Sequence, residues 1–104
     1  MTVKPVRAAE RVLATLEALA EHQPIGVGAL ARLLGDDKSA VQRALVTLAH
    51  AGWIRPAPGD QARWELSTRA LVVAEHAQRR SGLLQQLRGS VVALADETGE
   101  TVTV

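Results

Sequence analysis

Lys38, Ser39, Gln42, Arg43 and Thr47 fall within ten residues of one another, at spacings that a helix would turn to one side. Their side chains suit recognition of duplex DNA. An arginine can give two hydrogen bonds to the edge of a guanine, and a glutamine can do the same at an adenine. Serine, threonine and lysine can bond phosphate oxygens, which fix a protein's register on the duplex without reading sequence. No acidic residue occurs from Lys38 to Gly52, although the whole chain carries 11 acidic residues against 12 basic ones. A helix face kept free of carboxylates suits a groove lined with phosphates. On this reading Ser39, Gln42 and Arg43 contact bases, while Lys38 and Thr47 contact the backbone. Arg55 and Arg63 are candidates for the same backbone role.

For these side chains to act together, helices must position them. Val6 to Glu21 has Val12, Leu13, Leu16, Leu19 and Ala20 at helical spacing, which predicts a first helix ending near Gln23-Pro24. Val27, Leu30, Ala31 and Leu34 form the inner face of a short second helix, stopped by Gly35. Asp36 can cap a third helix, with Asp37 in its first turn, running to about Ala51 and burying Val41, Leu45 and Leu48. Ala31, Gly35 and Val41 have separate steric jobs: a close helix crossing, a tight turn and a plug for the core. That spacing is the helix-turn-helix, over about residues 27–46; an ordinary helical corner is the competing reading.

Trp53-Ile54-Arg55 and Arg63-Trp64-Glu65-Leu66 read as two strands joined by the turn formers of residues 56–62. This hairpin makes a wing over residues 53–66, with Trp53 and Trp64 packed beneath it. Ser67 can cap a fourth helix through Arg80, with Leu71, Ala74 and Ala77 inward. Leu83 to Leu94 forms a further apolar stripe, and Thr101-Val102-Thr103-Val104 alternates like a strand without an evident partner. The fold class is therefore mainly α: a winged helix-turn-helix of three helices and a two-stranded wing, then a linker helix and a further helix. The expected domains are residues 1–67 for DNA binding, 68–81 for the linker, and 82–104 for the start of a domain that continues beyond the chain.

Composition narrows the alternatives. At 104 residues there is room for one ordinary core, and the balance of 47% apolar to 22% charged residues is that of a folded chain. The absence of cysteine excludes disulfides and thiolate chemistry. His22, His50 and His76 lie too far apart for a paired metal motif, so no metal or cofactor is expected. No phosphate-binding loop, Gly-x-Ser-x-Gly or catalytic carboxylate pair occurs, and the chain does not read as an enzyme. No apolar run approaches a membrane span of about 20 residues, and Lys4 and Arg7 precede no signal-peptide core, so a cytoplasmic location is expected.

Several segments together carry a resemblance. The order Gln23-Pro24, Val27-Gly28-Ala29-Leu30-Ala31-Arg32-Leu33-Leu34-Gly35, Lys38-Ser39-Ala40-Val41-Gln42-Arg43-Ala44-Leu45, Gly52-Trp53-Ile54 and Trp64-Glu65-Leu66 resembles the IclR family of bacterial transcription regulators. Residues 94–102 resemble the segment with which that family enters its effector-binding domain, so the likeness covers nearly the whole chain. It implies a dimeric regulator, often a repressor and sometimes an activator, that senses a small-molecule effector through a C-terminal domain; pairing of two chains through the helices after the wing would make its DNA operator an inverted repeat. It also implies that Lys38, Ser39, Gln42 and Arg43 face DNA. The chain departs from the family where Gly26 and Ala29 replace a capping box, Asp37 a common proline, and Ala40 a common hydroxyl residue. The last change would remove one possible DNA contact. The alternative outside this class is a winged-helix protein-interaction module that binds no nucleic acid. A MarR-like winged helix is the nearest alternative within the class, but it would need a longer N-terminal flank.

Overall fold

The computed structural model describes residues 2–81. In chain order the elements are α1 (Arg7–His22), β1 (Ile25–Gly26), α2 (Val27–Leu34), α3 (Lys38–His50), β2 (Ile54–Ala57), β3 (Asp60–Leu66) and α4 (Arg69–Ser81). The stripe expected over Leu83–Leu94 and the alternating segment at 101–104 lie outside the described residues. No helix among the described residues is long and apolar enough to cross a membrane.

The core forms where α1, α2 and α3 meet the small sheet. Leu19, Leu30, Val41 and Leu45 are fully buried, and Ile25, Ala31, Leu48 and Ile54 nearly so. Each buried Leu, Ile or Val side chain contributes on the order of 1.5–3 kcal/mol relative to an exposed one. The inner face of α3 is the one expected from Val41, Leu45 and Leu48, and Trp53 and Trp64 pack against this cluster. On α1 the buried face is rotated from the expected one. Leu13 is 59% exposed and Ala20 is exposed, while Thr15 is fully buried. Thr15 occupies an apolar site because its hydroxyl donates to the Arg11 carbonyl at 2.7 Å, leaving no buried donor unpaired.

The sheet has the order β1-β3-β2, antiparallel throughout, so the wing hairpin is flanked by a third strand that the sequence reading missed. Ile25 pairs with Trp64 and Gly26 with Arg63, tying the start of α2 to the wing. The hairpin strands are also longer than expected. They pair Ile54 with Leu66 and Arg55 with Glu65, and they continue through Pro56 opposite Trp64. Pro56 is tolerated there because β2 is an edge strand, where a missing amide hydrogen breaks no ladder bond.

Gly35 and Gly52 end α2 and the approach to β2 with φ of 61° and 87°, a region costly for any side chain with a Cβ. The last turn of α2 is closed by the Asp36 amide donating to the Ala31 carbonyl at 3.1 Å. Ser67 stands two residues before α4. Its hydroxyl accepts from the Arg69 amide at 3.3 Å and donates to the Gly52 carbonyl at 2.5 Å.

The chain divides into two compact units between Arg69 and Ala70. Within α4, Glu75 and Arg79 form an ion pair one turn apart. Leu71, expected to face inward, is 71% exposed, whereas Ala70, Ala74 and Ala77 are half-buried. These alanines recur at intervals of four and three and so share one face of α4, and Leu71 lies off it.

Candidate nucleic-acid interface

The start of α3 is fixed by two adjacent aspartates with different tasks. Asp37, not Asp36, is the N-cap: its carboxylate accepts from the Ala40 amide at 3.2 Å. Asp36 instead accepts from Arg11 Nε at 2.6 Å and from the Asp37 amide at 2.8 Å. Both residues are competent caps, and a partner 25 positions away in α1 decides between them. The Arg11 side chain, with the Asp37 amide and more distant Arg7 adding to it, holds the Asp36 carboxyl below its ordinary range. A carboxyl lowered in this way stabilises the fold above its unfolded pKa, and that contribution is lost as pH falls through the folded value. Arg11→Gln is therefore expected to lower the thermal midpoint by a constant amount from about pH 7 to 5, and by a shrinking amount below about pH 4. A midpoint difference that stays constant at lower pH would contradict a charge-based role for this pair.

With its start anchored, α3 presents Lys38, Ser39, Gln42, Arg43, Val46, Thr47 and His50 to solvent, opposite its buried face. Lys38, Ser39, Gln42 and Arg43 line one open depression, so the structure brings these four expected side chains together. Thr47 is exposed beside them, but its hydroxyl donates to the Arg43 carbonyl at 2.9 Å and in this rotamer has no proton for a phosphate. Ala40 is only 6% exposed and lines a groove against α1 with Ala8, Arg11 and Val12. Its methyl group faces a helix, so a hydroxyl at this position would sit against α1 and the change costs no contact on the outer face.

The two wing arginines differ in their surroundings. Arg55 Nε bonds Glu65 Oε2 at 2.9 Å across the hairpin, which offsets part of its charge. Arg63 Nη2 donates to the Pro24 carbonyl at 2.7 Å, a neutral partner that leaves its charge uncompensated. A guanidinium has five donors, so either retains several for a further acceptor. The sequence reading missed the Arg11–Asp36 link, whose long separation leaves no local signal. Val46, which helical spacing places on the outward face, is 55% exposed in the middle of the polar side chains.

An exposed, acid-free helix that follows a tight turn and is accompanied by a hairpin carrying two arginines is the arrangement of a DNA-reading helix-turn-helix. Comparison with known proteins agrees. Residues 8–58 match the IclR helix-turn-helix domain. The chain is 32% identical over 99 residues to the HTH-type transcriptional regulator BhcR of Paracoccus denitrificans, covering 95% of this chain and 35% of that protein. A putative IclR transcriptional regulator from Silicibacter sp. TM1040 superimposes with a TM-score of 0.67 at 26% identity, over 89% of this chain and 37% of that one. HmgR of Pseudomonas aeruginosa gives a TM-score of 0.63 at 30% identity, over 88% and 37% of the two chains. The chain thus spans little more than a third of the length of the relatives it matches. Through the helix-turn-helix at residues 8–58 it belongs to the IclR family of DNA-binding transcription regulators.

Proposed function

We propose that this chain reads a specific double-stranded operator through α3 and serves as the DNA-binding part of a cytoplasmic repressor that responds to a small-molecule effector. The observation that carries this reading is the depression lined by Lys38, Ser39, Gln42 and Arg43 on a helix without a carboxylate. Gln42, Arg43 and Ser39 reach base edges in the major groove, and Lys38 holds the adjacent phosphates. Thr47 joins the backbone contacts by releasing its intrahelical bond. Arg63, and Arg55 more weakly because of Glu65, lie along the neighbouring backbone. Residues 68–81 link this module to an effector-binding domain beginning at about residue 82. The size of the relatives supports such a further domain.

Two chains bind as a homodimer, and the exposed Leu71, Val72 and Val73 of α4 supply apolar surface for the partner. The two-fold axis then requires an inverted repeat, with half-sites about one helical turn or a multiple apart, roughly 34–36 Å per turn. Sedimentation on a footprinted operator should show two chains protecting both half-sites, and one chain on one half-site would overturn the dimer.

The salt dependence of duplex binding tests the DNA-reading function itself. Log affinity should fall linearly with log salt concentration, because each phosphate contact releases counterions. Arg63→Ala should weaken binding to all sequences alike and reduce the slope by about one, with a smaller change for Arg55→Ala. An unchanged slope would leave Arg63 in solvent. Absence of any salt-sensitive retention at about 50 mM salt would overturn DNA binding in favour of a protein-interaction role.

A further inference from the structure

Val46 is 55% exposed on α3, in the midst of side chains that are otherwise polar. An isolated exposed apolar residue requires no explanation in itself, and Leu13 and Leu33 are as exposed, at 59% and 52%. The neighbours of Val46 set it apart. At 3.6 residues per turn, it lies within about 20° of Ser39 around the helix and about 40° from both Gln42 and His50. It is nearly opposite Leu48, which is 4% exposed at the base of the core. Val46 therefore occupies the centre line of the outward face, one turn beyond the depression formed by Lys38, Ser39, Gln42 and Arg43. Any groove that receives those four side chains receives the Val46 isopropyl group with them.

The major groove offers little that an isopropyl group can cover without loss. Guanine N7 and O6, adenine N7 and N6 and cytosine N4 are hydrogen-bonding groups, and an apolar group pressed on them removes water without replacing its bonds. The thymine C5-methyl group is the apolar feature on the groove floor. The stiff β-branched side chain also loses little rotamer freedom on contact, because a helix already confines its χ1. We infer that Val46 is a specificity-determining residue that selects a thymine methyl in the operator, favouring T by contact and disfavouring the other bases by desolvation.

This inference rests on the DNA-reading function proposed above and adds a base identity to it. Four residues of helix rise about 6 Å and base pairs are spaced by about 3.4 Å, so the thymine lies about two base pairs from the pair under Gln42.

The test uses the full chain and duplexes bearing the sequence that it enriches from a randomised DNA pool. Each thymine is replaced in turn by deoxyuridine, which lacks only the methyl group. At one thymine near the Gln42 contact, the substitution should weaken binding roughly three- to fivefold, the scale of a single methyl group taken out of water. Val46→Ala should bind the unmodified duplex more weakly by a similar factor and be indifferent to deoxyuridine at that position. Insensitivity of the unaltered protein to every replacement would overturn the inference, as would full sensitivity retained in Val46→Ala. Both of those outcomes leave DNA reading intact. A chain that enriches no sequence overturns the reading function and this inference together.

Discussion

Val41→Asp is expected to unfold the helix-turn-helix unit, not merely to disable its contact with DNA. Val41 has no exposed surface and lies in the cluster with Leu19, Leu30, Leu45 and Leu48. No buried side-chain donor among the described residues awaits a partner, so the new carboxylate would be uncompensated whether ionised or protonated. Burying such a group costs at least several kcal/mol, comparable to the roughly 5–15 kcal/mol that holds a small domain folded. Val41→Ala provides the contrast. Losing two methylene equivalents costs about 2 kcal/mol and should leave a folded, DNA-binding protein with a lower thermal midpoint. Far-ultraviolet circular dichroism and thermal melting decide the matter. A Val41→Asp protein with native dichroism and an unchanged midpoint would mean that α3 is packed by a different face.

Arg43→Ala is expected to weaken binding to the selected operator by about 1–3 kcal/mol while nearly sparing binding to random duplex. The reasoning turns on what the side chain does at each kind of site. On random DNA a guanidinium adds one charge near phosphates that Lys38 and the wing arginines also approach, so its loss is diluted. On the operator it makes a two-pronged contact that no neighbour can replace. Among the described residues Arg43 has no side-chain partner to give up first, unlike Arg55 with Glu65. Competition binding with operator and random duplexes at one salt concentration measures both terms. Equal losses on the two would assign Arg43 to the phosphate backbone.

Much of this arrangement was legible in the sequence, for local reasons. The bounds of α2 at Val27 and Leu34 follow from a proline before it and a glycine in the left-handed region after it. The buried stripe of α3 was equally plain, because three of its four large apolar residues, Val41, Leu45 and Leu48, recur at helical spacing on one face. What escaped depended on partners distant in the chain. The choice between Asp36 and Asp37 as cap was made by Arg11, and the burial of Thr15 in place of Leu13 by how α1 meets its neighbours. A strand of two residues, Ile25–Gly26, is too short to show a period and exists only because β3 lies beside it. The residues 56–62 were taken for loop on their turn-forming composition, yet only the Pro58–Gly59 turn separates β2 from β3. The same holds at the interface: Lys38, Ser39, Gln42 and Arg43 share a face by helical spacing alone, whereas the different partners of Arg55 and Arg63 are set by the sheet.

That α3 is the element which meets DNA can be measured directly by titrating the isotope-labelled chain with its selected duplex and following backbone amide resonances. The largest changes should fall on Lys38 to His50, with a second, smaller group around Arg55 and Arg63, and all should diminish as salt is raised. The amides of Leu19 and Thr15, on the far side of the core, should move least. Changes confined to α1, with the resonances of α3 unmoved at saturating duplex, would contradict the assignment of α3 as the reading helix.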